Sequence, residues 1–285
     1  MPSVSDPVPV DAPIVDAHAH IFARDMPLVA NAWTVLEYDF SAEDYLRILD
    51  AHGVHFGILA ALSISGFYNE QTIAAVRCHK RLRATINAPL GADPYFLRQM
   101  RDDGVVGIRL QLARMPVLPD LADEAHQLLL RRVRDLDWHV HVAVEGPRLP
   151  PLLAALNKAG VKTVLDHFAH PDPASGAACD GFDAVLCAID LGRTWVKLSA
   201  GFRLMGPESW RSSGGEEGEA LGDALAAHLL ASVGTDRLLW GSDCPFVGYE
   251  KQVSYAGAIA RFHARVPNAR NRRAISDTAL KLYFA

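Results

Sequence analysis

Three short pieces of this chain carry residues whose types and spacing can do chemistry: Asp16-Ala17-His18-Ala19-His20, Leu165-Asp166-His167, and Leu239-Trp240-Gly241-Ser242-Asp243. Each piece ends an apolar run rich in β-branched residues, so each reads as polar chemistry at the tip of a buried strand. Strand side chains alternate between faces, which predicts Asp16, His18 and His20 on one side. Two histidines so placed can share one divalent ion or one polarised oxygen. An aspartate beside them can accept a proton from an attacking water, and Asp243 is the candidate. Cys244-Pro245 follows it, stopping the strand and holding the carboxylate at the rim. Strands this far apart in sequence deliver their ends to one spot only in a fold that gathers them.

The elements that must do the gathering are legible as an alternation. Apolar runs fall at 13–19, 55–62, 82–88, 104–111, 138–144, 161–168, 194–199 and 236–242. Many are apolar on both faces, as strands covered by helices must be. Helical stretches separate them near 41–53, 69–81, 93–103, 120–135, 149–159, 180–191, 217–233 and 250–265, with a last one near 271–284. Ser41-Ala42-Glu43-Asp44 is a capping signal, and Gly53 is a plausible stop for the helix that it opens. Eight alternations with no repeat and no linker predict an α/β fold, a single (β/α)8 TIM barrel over residues 14–285. An open doubly wound sheet would carry a glycine-rich loop after its first strand, where this chain has His-Ala-His-Ile-Phe. The 200–218 connection is long for this fold and glycine-rich at its end, and reads either as a lid or as a surface loop.

Bulk properties exclude several roles. A net charge of -5 over 285 residues argues against nucleic acid and acidic membranes as partners, while leaving a small anionic substrate open. Residues 1–13 lack a basic start and an apolar core, so they read as a loose arm and not a secretory signal. No apolar run reaches the roughly 18 residues of a membrane span. Four cysteines without a CxxC pair suit reduced thiols, and the expected location is cytoplasmic. The sequence leaves homo-oligomerisation open.

Arginines form a second constellation. Arg109 ends a strand inside an apolar run, and a charge buried there needs an anionic partner. Arg114 follows in the loop, and Arg203 lies six residues beyond Lys197. Guanidinium forks at one rim suit a substrate with carboxylates, although each could equally serve an internal salt bridge. His139 and His141 form another His-x-His pair, but their place early in a strand favours barrel packing. Cys244, His170 and His228 have packing or surface readings, and no Gly-x-Ser-x-Gly elbow points to a serine nucleophile.

With Val15-Asp16-Ala17-His18-Ala19-His20, Asp166-His167-Phe168-Ala169-His170-Pro171 and Trp240-Gly241-Ser242-Asp243-Cys244-Pro245, the chain resembles the amidohydrolase superfamily. Within it the amidohydrolase-2 branch is nearest, close to the 2-pyrone-4,6-dicarboxylate lactonases. Asp277-Thr278-Ala279-Leu280-Lys281-Leu282-Tyr283 is similar to that branch's closing helix, with Asp277 where asparagine is more usual. The resemblance implies that Asp243, His18, His20 and His167 are catalytic. The same four would be ligands if a single metal is present. Arg109, Arg203 and Arg114 would hold substrate carboxylates, with Ser63 as a further contact and Tyr38 and Tyr68 as loop hydroxyl donors. Many superfamily members bridge two metals through a lysine, and none stands at the ends of the fourth or fifth strand here. The resemblance therefore implies no cofactor or one divalent ion, zinc or manganese. Glu145 stands where those lactonases carry a tyrosine, and a carboxylate there is expected to repel a dianion.

The reading is a hydrolase that opens a carboxylated lactone in the catabolism of aromatic or sugar acids. Its rivals are a metal-dependent non-oxidative decarboxylase of the same branch and a non-catalytic barrel that binds an anion.

Overall fold

The computed structural model describes residues 13–206 and 213–285. Eight parallel strands form one sheet in sequence order: β1 (Val15–Ala19), β2 (Phe56–Leu59), β3 (Leu82–Ile86), β4 (Val105–Gln111), β5 (His139–Ala143), β6 (Lys162–Leu165), β7 (Thr194–Ser199) and β8 (Leu238–Gly241). The helices around them are α1 (Ala42–Ala51), α2 (Glu70–Cys78), α3 (Pro94–Asp103), α4 (Glu124–Asp135), α5 (Leu149–Ala159), α6 (Asp180–Asp190), α7 (Glu216–Val233), α8 (Tyr255–Arg265) and α9 (Ala269–Tyr283). The molecule is a (β/α)8 barrel. The N-terminal arm expected over 1–13 falls almost wholly outside the described residues. So does the middle of the 200–218 connection, where a lid was an expectation.

Local chemistry explains where the elements start and stop. Ser41 and Asp44 form the reciprocal capping box of α1, and Gly53 leaves that helix at φ 69°. Asp93 caps α3 ahead of Pro94, and Gly104 ends it. The strands are shorter than their apolar runs at both ends, and by two or three residues at the site-facing ends of β2, β3 and β6. After Leu165, for example, residues His167, Phe168, Ala169 and His170 all adopt positive φ, from 44° to 64°. A left-handed run of four non-glycine residues costs on the order of 4–8 kcal/mol, which its surroundings must offset. Phe168 is fully buried beneath it, and Gly146 N–H binds the His170 carbonyl at 2.6 Å.

Two hydrophobic regions support the barrel. The larger fills the space between sheet and helices. The smaller, with Val15, Ala17, Ile58, Val164, Trp195 and Leu239, occupies the end where the strands begin, and Ala279 and Tyr283 of α9 plug it. Above this plug the barrel interior turns polar.

β8 and β1 meet without a regular ladder. Asp243 N–H donates to the His18 carbonyl and His20 N–H to the Cys244 carbonyl, both at 2.8 Å. Gly241 permits that seam, because a Cβ there would stand 2.6 Å from the His18 Cβ. The register between β1 and β2 shifts between Asp16 and Ala19. That irregularity corrects the expectation that Asp16 shares a face with His18 and His20. Its carboxylate instead accepts from Ser242 N–H at 2.8 Å and from the Tyr255 hydroxyl of α8 at 3.0 Å, clamping the seam from the helix side.

Candidate active site

The seam places the ends of β1 and β8 side by side and the turn after β6 opposite them. Asp243 Oδ1 lies 3.5 Å from His18 Nε2, 3.5 Å from His20 Nε2 and 3.8 Å from His167 Nε2. The other carboxylate oxygen, Oδ2, accepts from Arg203 Nε. All five side chains are largely buried. Burial opposes a charge on Asp243, but Arg203 and the surrounding imidazoles outweigh it and hold its carboxyl well below the usual carboxylate range. Burial pushes His167 well below an ordinary histidine, and burial together with the Lys197 charge pushes His18 down to about 3. His18 and His167 are therefore neutral at physiological pH, facing an ionised carboxylate.

Each imidazole is oriented from behind. His20 Nδ1 meets the Ala60 carbonyl at 2.8 Å, His167 Nδ1 meets the Ser199 hydroxyl at 2.8 Å, and His18 Nδ1 meets Lys197 Nζ at 3.0 Å. Lys197 is entirely buried in the middle of β7. Its ammonium also contacts His141 Nδ1 at 3.1 Å and Asp166 Oδ1 at 3.0 Å. Burial lowers its pKa to about 8 against the pull of Asp166, so it is charged at neutral pH. Asp166 in turn takes Arg109 Nε at 2.9 Å. Burial opposes charge on Asp166 too, yet Lys197 and Arg109 keep it ionised. A buried charge left unpaired is strongly destabilising, and this cluster leaves none unpaired.

Lys197 and Asp166 do not stand among the residues that the sequence singled out for a role. One signal was available for Lys197: a lysine between Val196 and Leu198 in a strand buried at every position must find anionic or lone-pair partners inside the barrel. His139 and His141 lie in the interior as barrel packing, with His141 Nε2 3.2 Å from the Tyr283 hydroxyl. Gly107 makes room for them, since a Cβ there would strike the His139 carbonyl at 2.3 Å.

The three arginines differ in what they are free to do. Arg109 is buried, bound to Asp166 and to the Ala61 carbonyl at 2.6 Å. Arg203 serves Asp243 and the Val247 carbonyl, with its guanidinium over the Phe202 and Tyr249 rings. Arg114 is exposed at the mouth, 4.9 Å over the Trp33 ring, and among the described residues no carboxylate pairs with its guanidinium. The Ser63 hydroxyl accepts from the same Trp33 indole at 3.1 Å, so Trp33 joins Ser63 to Arg114. Tyr38 donates to Glu250 at 3.0 Å, and burial together with Glu250 raises its pKa. Tyr68 is half-buried in the loop after β2, its backbone N–H on the Ser65 carbonyl. Glu145 has partners that sequence could not supply: Arg114 N–H at 3.0 Å and Arg148 Nη1 at 3.0 Å. Cys244 is buried against the Asp16 clamp, and burial followed by the neighbouring Asp16 and Asp243 charges pushes its thiol well up. His170 stacks edge-on to His167, and His228 lies exposed on α7 against Phe182.

The donor set can be tested against a metal ion. Ligand atoms on a tetrahedral zinc with bonds of about 2.0–2.1 Å stand about 3.3 Å apart. His18 Nε2, His20 Nε2 and Asp243 Oδ1 are separated by 3.2, 3.5 and 3.5 Å, so in spacing they fit one ion. His167 stands just outside that group.

A family profile for amidohydrolases of the Amidohydro_2 type matches residues 15–285. The 4-sulfomuconolactone hydrolase of Rhizobium radiobacter is 27% identical over 237 residues, covering 82% of this chain and 76% of that protein. Among solved structures, an Acinetobacter baumannii protein described as a 2-pyrone-4,6-dicarboxylic acid hydrolase, with citric acid bound, superposes with a TM-score of 0.87. It is 24% identical, and the match covers 95% of this chain and 99% of that one. A Pseudomonas putida protein described in the same terms superposes with a TM-score of 0.85 at 33% identity, covering 94% of this chain and 96% of its own.

Proposed function

The chain belongs to the amidohydrolase family, and from that premise we propose that it is a hydrolase that opens a lactone bearing a carboxylate or similar anionic group. One observation carries the reading: an ionised, buried Asp243 directs one oxygen at three imidazoles, in a site where Arg114, without a carboxylate partner among the described residues, stands at the mouth. The three proteins compared above are all described as hydrolases of lactone acids, which supports a lactone over the decarboxylation reading.

In this mechanism water attacks the ring carbonyl while Asp243 Oδ1 takes its proton. His18, His20 and His167 line the space where the carbonyl oxygen gains charge. The tetrahedral centre then breaks its bond to the ring oxygen, and Asp243 returns the proton to that leaving oxygen. A carboxylate held so far below the usual range is a weak base, so positioning and polarisation must supply much of the rate. Arg203 keeps Asp243 ionised and aimed. Arg114, with Trp33 and Ser63 beside it, orients the substrate's anionic group. His18, His20 and Asp243, with His167 adjacent, would hold one zinc or manganese ion, which would polarise the carbonyl when bound. The inferred setting is cytoplasmic catabolism of aromatic or sugar acids.

A panel of carboxylated and sulfonated five- and six-membered lactones, followed by product mass, tests the proposal. Gain of one water is expected. Carbon dioxide release from benzoate-type acids, with every lactone left intact, would replace it with the decarboxylase.

A further inference from the structure

The two histidines of the His18-Ala19-His20 pair are wired from behind in opposite senses. His20 Nδ1 faces the Ala60 carbonyl at 2.8 Å, and a carbonyl can only accept. His20 therefore carries a proton on Nδ1, and the neutral ring with that tautomer offers a lone pair at Nε2, the form in which histidines ligate metals. His18 Nδ1 instead faces the Lys197 ammonium at 3.0 Å, and an ammonium can only donate. That puts the lone pair of His18 on Nδ1 and its proton on Nε2.

A second, independent contact gives the same assignment. His18 Nε2 and His20 Nε2 are 3.2 Å apart, a hydrogen bond that needs exactly one proton between them. The Ala60 carbonyl has already fixed His20 Nε2 as the acceptor, so His18 Nε2 must be the donor. Lys197 has three N–H groups and three neighbours, His18 Nδ1 at 3.0 Å, His141 Nδ1 at 3.1 Å and Asp166 Oδ1 at 3.0 Å, which leaves it no reason to turn away.

We propose that Lys197 is a positioning residue that fixes His18 as a hydrogen-bond donor to the site, and so opposes a divalent ion at a donor set otherwise spaced to hold one. The alternative wiring is in place. His18 Nδ1 also lies 3.3 Å from Asp166 Oδ1. Without the lysine, that carboxylate would accept from Nδ1–H and turn Nε2 into a ligand, the carboxylate–histidine–zinc arrangement.

The assignment of the proton stands on hydrogen bonds and does not depend on the substrate; only the role of His18 Nε2–H toward a carbonyl rests on the lactone reading. Two measurements test it without any turnover. In 15N-histidine-labelled wild-type protein stripped of metal, with His18 assigned by loss of its signals in His18→Gln, Nδ1 should show the shift of an unprotonated ring nitrogen and Nε2 that of a protonated one. In Lys197→Met, checked for folding by circular dichroism, the pattern should reverse and zinc alone should bind about tenfold or more tightly than to wild type. A protonated Nδ1 in wild type overturns the proposal, and that reading holds even if the variant fails to fold. A folded variant that binds zinc no more tightly than wild type overturns it too. Either failure leaves lactone hydrolysis standing, just as a failed lactone screen leaves this proton assignment untouched.

Discussion

Replacing Arg114 by alanine should weaken the handling of anionic lactones while sparing the fold. The guanidinium is exposed and makes a cation–π contact with Trp33, and among the described residues it pairs with no carboxylate. Its loss therefore strands no buried charge, and stability should fall by under about 1 kcal/mol, the worth of that contact. A hydrogen bond to a charged group is worth about 1.5–3 kcal/mol, and exposure places this one in the lower half of that range. At about 1.4 kcal/mol per decade, kcat/KM should drop about ten- to fortyfold. The loss should appear mainly in KM, because the contact is made before and during the reaction alike. An uncharged lactone of the same ring size should be nearly unaffected. Steady-state kinetics on the two lactones, with a thermal melt of each protein, supply all four numbers. An unchanged KM for the anionic lactone would refute Arg114 as the anion's anchor. The same substitution at Arg109 could not be read this way, because it would leave Asp166 short of a buried partner at a cost of about 3–5 kcal/mol.

Arg203→Met should act on the base and not on binding. With its cation gone, the Asp243 carboxyl rises from its depressed position, so the acid limb of the kcat–pH profile moves toward neutral pH while KM changes little; a raised KM with an unmoved limb would instead make Arg203 a substrate ligand. Native protein treated with iodoacetamide at pH 8 should be labelled at exposed Cys78 and Cys187 and spared at buried Cys179 and Cys244, as peptide mapping can show. For Cys244 the raised thiol pKa adds to burial, since only the thiolate reacts; fast labelling there in the folded protein would contradict the clamp around Asp16.

Much of the barrel was legible because strands covered on both faces need continuous apolar runs, and eight of these alternate with helix-like stretches. The C-terminal ends of the second, third and sixth were read two or three residues too long. Leu165 is followed by residues that stay buried while their backbone leaves the sheet in left-handed conformations, and hydrophobicity does not record φ. Strict alternation misplaced Asp16 because a register shift intervenes before Ala19. His18, His20, His167 and Asp243 were visible as polar residues at strand ends, and the barrel brings them together. The arginines show what a single sequence withholds. Arg109 was rightly seen to need an anion, but its partner Asp166 is 57 residues away. Glu145 was read by its sign alone, whereas Arg148 and the Arg114 N–H neutralise it in place. Lys197 passed unnoticed because its partners come from β1, β5 and the end of β6, which only the closed barrel brings together.

The account stands or falls most directly on Asp243→Asn assayed with a lactone that the wild-type protein opens. The amide keeps the shape of the side chain but cannot take the proton of water. A loss of about 10²- to 10⁴-fold in kcat is expected, the range for a general base, with the binding constant of the ring-opened acid changed little. Turnover within a few-fold of wild type would contradict it.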